Sequence, residues 1–236
     1  MTTAGRVFMT TCVCLCGVSV LSAQPQSAPP GQARELKPGS IKWQAAQARQ
    51  KGESTVEIIN IGFPPAIGSF DVAADHATIA RARLKVAMTD VKEDTITTWY
   101  KFQLLEILSP GPESDTSLAD YSEAELPSDL LPLQSDEFLV EISQGEAHID
   151  GVTVRVRDTT FSALEVSGEY LMFLRFDLAK HYAFFPFLGQ GVFLVGDSGR
   201  VKSLPGIQRG FIADHLDRRF SGSVQSLRAH LRSRSP

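Results

Sequence analysis

Cysteine is nearly missing from this chain, and the little there is sits in one place. Of 236 residues only Cys12, Cys14 and Cys16 are cysteine, all within the first 23. Beyond residue 23 the chain can therefore build no disulfide, no thiol nucleophile and no cysteine metal site. A lipoprotein signal needs a small residue just before its cysteine. Thr11, Val13 and Leu15 hold those places, so lipidation is not expected. After the first segment no apolar run reaches the roughly 20 residues of a membrane helix. Lys and Arg are absent from Glu113 to Asp150, which carries eleven acids. Histidine is sparse: His76, His148, His181, His215 and His230 show no His-x3-His spacing. No EF-hand register occurs in the acidic stretch. Gly189-Gln190-Gly191 precedes a strand, the wrong context for a dinucleotide loop. No metal and no cofactor is expected.

What is present begins with a leader. Arg6 is the only charge in the first 23 residues, Val7 to Leu21 is apolar or small, and Leu21-Ser22-Ala23 precedes Gln24-Pro25. This is the pattern of a secretory signal over residues 1–23. It predicts a secreted or periplasmic protein with no membrane span after cleavage. Residues 24–39, rich in Pro, Gln, Ser and Gly, read as a flexible linker. Residues 40–236 read as a single β-rich domain. Without Arg6 the balance is 22 basic against 27 acidic residues, a charge of -5. An exported, net acidic chain argues against nucleic acid as a partner. Residues 200–236 are the exception, with eight basic residues and two acids.

Within the domain the periodicity is mostly two. Ser40 is placed to cap a short helix to about Gln50, and Ser69 a second one. Thr55 to Ile61 reads as a strand. In Thr78–Val91, Ala80, Ala82, Leu84, Val86 and Met88 alternate with Arg81, Arg83 and Lys85, which predicts one packed face and one wet face. Thr95–Leu108 returns as its partner. Pro110–Pro132 has no periodicity and reads as a long excursion from the sheet. Asp150-Gly151 predicts a two-residue hairpin. Tyr170 to Phe176 is apolar on both faces, as in a strand buried on both sides. A last hairpin turns at residues 196–199. From about residue 207 the pattern becomes helical, with Ile212, Leu216 and Phe220 on one stripe and Val224, Leu227 and Leu231 on another.

Two stretches invite a functional reading. Gly196-Asp197-Ser198-Gly199 resembles the nucleophile loop of chymotrypsin-like serine proteases, with His76 and Asp115 upstream in the matching order. It departs from that family where Arg200-Val201 replaces Gly-Gly-Pro, where His76 precedes a strand, and where helices replace the later pocket strands. As a turn between strands the tetrapeptide needs no further explanation. A serine hydrolase using Ser198 is thus the alternative, not the leading expectation. The other stretch is aromatic: Tyr182, Phe184, Phe185 and Phe187 crowd around Pro186. Exposed, they would form a binding surface; buried, they would be core.

The order Gly168-Glu169-Tyr170-Leu171-x-Phe173-Leu174, then Gly189-x-Gly191-Val192-Phe193-x-Val195, resembles a group of uncharacterised bacterial secreted β-proteins. Thr97-Thr98-Trp99-Tyr100-Lys101-Phe102 and the closing amphipathic helix also fit, so the likeness spans most of residues 75–232. More distantly the layout is similar to OB-like barrels of the netrin/tissue-inhibitor type. Those inhibitors act through an N-terminal cysteine, so their mechanism does not carry over. The resulting expectation is a mainly β fold: an antiparallel OB-like barrel of five to seven strands with short N-terminal and C-terminal helices. The expected function is an exported non-catalytic binding or interaction module for an unknown protein or small-molecule ligand. An envelope structural or assembly factor is the other non-catalytic possibility.

Overall fold

The computed structural model of the protein describes residues 36–62, 69–92, 95–111, 126–177, 181–207 and 209–234. The expected signal segment, residues 24–35 of the expected linker and residues 112–125 of the acidic stretch lie outside them.

Local chemistry starts the elements where the sequence places them. Helix α1 (Ile41–Gln50) begins at Ser40, whose Oγ accepts from Trp43 N at 3.2 Å. Helix α2 (Phe70–His76) begins at Ser69, whose Oγ accepts from Val72 N at 3.1 Å. Each cap satisfies an amide that the first turn leaves open. Among the described residues the period-two segments form ten strands: β1 (Thr55–Asn60), β2 (Thr78–Lys92), β3 (Thr95–Ser109), β4 (Glu137–Ile142), β5 (Gly145–Ile149), β6 (Val152–Asp158), β7 (Glu169–Asp177), β8 (Tyr182–Phe184), β9 (Val192–Val195) and β10 (Val201–Ser203). The β5–β6 turn has Asp150 at φ 49° and Gly151 at φ 85°, the double positive φ that favours Asp-Gly there. Helices α3 (Phe211–Phe220) and α4 (Val224–Arg234) end the chain, and Ser223 Oγ accepts from Ser226 N at the start of α4.

Seven strands form one sheet in the order β10-β9-β7-β2-β3-β4-β8, and β8 also pairs with β7. Five of them, β7, β2, β3, β4 and β8, therefore close into a ring. The fold is a mainly β, OB-like barrel, with β9 and β10 extending it from the outer edge of β7. One expectation needs correction. The barrel is not wholly antiparallel, because β8 runs parallel to β4. Strands β1, β5 and β6 make a separate three-stranded sheet in which β1 is parallel to β6.

Two cores share the barrel wall. Inside, Leu84, Tyr100, Phe102, Phe138, Tyr170 and Met172 pack together with the small residues Ala80 and Ala82. Outside, Leu171 and Phe173 of β7 meet Phe70, Ile212, Leu216 and Leu227 from α2, α3 and α4. Alternate residues of β7 thus serve opposite faces, which explains its continuous apolar run. Burial of each such side chain contributes roughly 1.5–3 kcal/mol. Helix α1 covers the small sheet through Ile41, Ala45 and Ala48 against Val152, Val154 and Val156.

The alternation of β2 breaks at Lys85. Leu84 pairs with Phe102 but Val86 with Lys101, so Lys85 is an inserted residue. The insertion shifts the phase, and Val86, expected on the packed face, is 40% exposed. The two residues test this directly. Phe102 is fully buried, stacked on Phe138 at 5.4 Å and edge-on to Tyr170 at 6.2 Å. Phe102→Ala should destabilise by about 3–5 kcal/mol, whereas Val86→Ala should stay within about 0.5 kcal/mol. Urea denaturation of both variants gives the comparison; similar losses at the two positions would contradict the shifted phase.

Candidate ligand-binding cleft

One end of the barrel opens into a cleft of about 490 Å³, between β2 and β3, the small sheet and two connecting turns. That volume is in the range of small-molecule sites. Its deep wall is built by a hand-over. Strand β4 leaves the barrel at Ile142 and re-enters pairing at Gly145 in the small sheet. Gly145 has φ 142°, and a β-carbon there would stand 2.8 Å from Thr89 Cγ2 and 3.1 Å from Thr98 Oγ1. Only glycine lets the chain pass this close to β2 and β3.

The hand-over buries Gln144 at the base of the cleft. Thr98 Oγ1 donates to the Gln144 carbonyl at 2.7 Å, and Thr89 and Thr98 share a hydroxyl contact at 3.3 Å. Since the Thr98 proton is used on Gln144, Thr89 is the donor to Thr98. The Gln144 side chain donates from Nε2 to the Tyr100 hydroxyl at 2.8 Å. Tyr100 is 2% exposed. Its hydroxyl accepts from Gln144, and among the described residues no hydrogen bond takes its own proton. Tyr170 shows the contrast: its hydroxyl accepts from Glu165 N at 2.7 Å and donates to Glu165 O at 3.1 Å, so it is used in both directions. Burial pushes the Tyr100 phenol above its ordinary range, against the opposing pull of Gln144 and Leu164. The Tyr170 phenol is raised as well, again chiefly by burial.

Charge is confined to the rim, where both arginines are paired. Arg155 Nε donates to Glu146 at 2.6 Å and Arg157 to Glu57 at 3.1 Å. Asp158 Oδ1 accepts from both the amide and the hydroxyl of Thr160, which folds the chain back toward Phe161 and Leu164. These last two are buried in the barrel core beneath the cleft.

The aromatic stretch is divided by the wall. Phe185 (4% exposed) stacks on Phe161 at 5.3 Å inside the barrel, while Phe187 (6% exposed) lies edge-on to Phe173 at 6.3 Å in the helix-covered core. Tyr182 is half-buried beside Trp99, Leu130 and Leu139, and Phe184 is half-buried in β8. A continuous surface of all four does not exist. Phe185 and Phe187 are core residues, and only Tyr182 and Phe184 reach solvent. Ser198 is exposed in the β9–β10 turn, where Gly199 N donates to Gly196 O at 2.8 Å. His76 is exposed at the end of α2, no hydrogen bond joins it to Ser198, and Asp115 lies outside the described residues. Among the described residues no group of three His, Cys, Asp or Glu side chains converges on a point.

Tyr100 was legible as a core residue of β3 but not as a cleft residue. The available signal was its hydroxyl: a tyrosine at an inward position must find partners for it. Gln144 gave no signal, because its position depends on the hand-over between sheets.

The chain matches no family model, no curated protein and no solved structure. The expected likeness to secreted β-proteins gains no support from them.

The two phenols give a measurable pH effect. A phenol raised in the folded state stabilises the fold fully below its unfolded pKa, about 10, and that contribution is lost as pH rises through the folded value. Absorbance at 295 nm should show at least two tyrosines titrating above the ordinary range until the protein unfolds, and one fewer in Tyr100→Phe. Four ordinary titrations in the folded protein would contradict the burial described. For the divided aromatic stretch, Phe185→Ala should cost about 3–5 kcal/mol. Phe184→Ala should cost clearly less, as read from thermal unfolding.

Proposed function

We propose that the protein is an exported, non-catalytic binding module, secreted or periplasmic, that takes a small ligand in the cleft above Tyr100. The supporting observation is the Tyr100 hydroxyl: buried, held by the Gln144 amide, and left with a proton that no described residue accepts. A buried donor without an acceptor is unfavourable by roughly 1–3 kcal/mol, and an acceptor entering the cleft recovers that loss. The group is also fixed in advance, since Gln144 holds the oxygen from the protein side, so little ordering is required on binding. The rim pairs Arg155–Glu146 and Arg157–Glu57 hold the cleft's entrance without placing a free charge in it.

The test is recovery of the bound molecule. Protein purified from its native envelope under mild conditions is extracted, and the extract is compared by mass spectrometry with that of Tyr100→Phe carrying Gln144→Ala. A small molecule present with the native protein and depleted at least tenfold from the double variant supports the proposal. Equal recovery from both, or none from either, overturns it.

A further inference from the structure

The cleft's interior separates by chemistry from its rim, and the separation identifies a class of ligand. Each charged side chain that lines it is exposed and paired, or, like Asp158, occupied with the local backbone. A charged ligand would have to compete with an existing ion pair and would gain little in the screened rim. The deeper groups are neutral. Tyr100 offers a donor. The amide of Gln144 is committed to Tyr100 through Nε2, while its Oε1 has no hydrogen bond among the described residues and offers an acceptor on the neighbouring group. Nearer the mouth, the exposed Thr89 adds a hydroxyl oxygen whose lone pairs remain open, because its proton goes to Thr98. A donor beside acceptors is complementary to a ligand that itself carries donors and acceptors on adjacent atoms. The turns at 161–164 and 205–207 contribute mainly apolar atoms, from Ala163, Pro205 and Ile207. A sugar ring presents both kinds of surface: hydroxyls at its edge and C–H groups on its faces.

On the reading of the cleft as a binding site, we infer that it takes a neutral polyol of saccharide type, with two adjacent hydroxyls on Tyr100 and Gln144. Tyr100 O–H donates to one ligand hydroxyl oxygen, and the neighbouring ligand hydroxyl donates to Gln144 Oε1. About 490 Å³ accommodates one or two such rings. Discrimination against an analogue lacking the hydroxyl pair is expected to be strong, because two buried polar groups would be left unpaired.

Three probes that share one ring and differ in charge decide the matter: glucose, glucuronate and glucosamine. Each is titrated into ¹⁵N-labelled mature protein while the Gln144 side-chain amide and the Gly145 amide are followed. Glucose should shift both signals, Tyr100→Phe should weaken it at least tenfold, and raising salt from 50 to 500 mM should change its affinity less than twofold. Tyr100→Phe must retain the native fold by circular dichroism; if it does not, Gln144→Leu replaces it, with the same expected loss. If a charged probe binds tenfold more tightly than glucose, or added salt abolishes binding, the polyol inference is overturned while the cleft stands as a site. If no probe moves the Gln144 amide, the polyol inference is overturned, and the cleft itself falls only if the native extraction is also empty.

Discussion

Three residues of β8 hold the structure together. Tyr182 and Ala183 pair with Leu139 and Val140 of β4 on one side, and Tyr182 to Phe184 pair with the end of β7 on the other. Without β8 the sheet would be open, with β4 and the last turn of β7 as exposed edges. A closed ring removes those edges and the liability they carry. The approach to β8 is fixed by a small polar cluster. Leu139 N donates to His181 O at 2.8 Å, His181 Nδ1 contacts Glu137 O at 2.7 Å, and Glu137 itself is buried against Lys101 at 2.9 Å. Lys101 also donates to the carbonyls of Leu130 and Pro132, which ties the segment before β4 to the wall.

Closure also creates the two cores and the cleft. It gives the wall an inside and an outside, and β7 and the 182–187 stretch distribute their side chains between them. Ala183 and Phe185 turn inward and Phe187 outward. On the outside, Arg228 of α4 reaches Glu106 on β3, and Arg81 and Arg83 meet Glu169, whose carboxyl is held below its usual range by Arg83 and Arg81. Such half-exposed pairs align the last helix more than they stabilise it. At the open end, β4 cannot continue around the ring and passes instead to the small sheet. That departure places Gln144 under Tyr100, so the cleft is a consequence of how the barrel ends.

Features decided within a few residues were legible in the sequence. The caps at Ser40 and Ser69, the Asp150-Gly151 hairpin, the 196–199 turn and the two-faced burial of β7 each follow from local donors, φ preferences or alternation. Features decided by distant chain were not. The parallel β1–β6 pairing joins Thr55 to Thr153, far apart in sequence, and no local pattern distinguishes it from a place in the barrel. The bulge at Lys85 was hidden because Val86 keeps the apolar alternation while the register slips beneath it. The aromatic stretch misled for a related reason: residue type indicates burial, but the side of the wall is set by closure. The cleft was the least legible part, since its key groups come from four separate segments and only Tyr100 carried a local hint.

The closed ring is tested most directly by cross-strand nuclear Overhauser effects in the folded protein. Closure predicts backbone contacts of Ala183 with Val140 and with Phe176 in the same molecule, together with a slowly exchanging Leu139 amide. An Ala183 that contacts only one of those strands, with Leu139 exchanging at the rate of an open edge, would contradict the barrel and the cleft that depends on it.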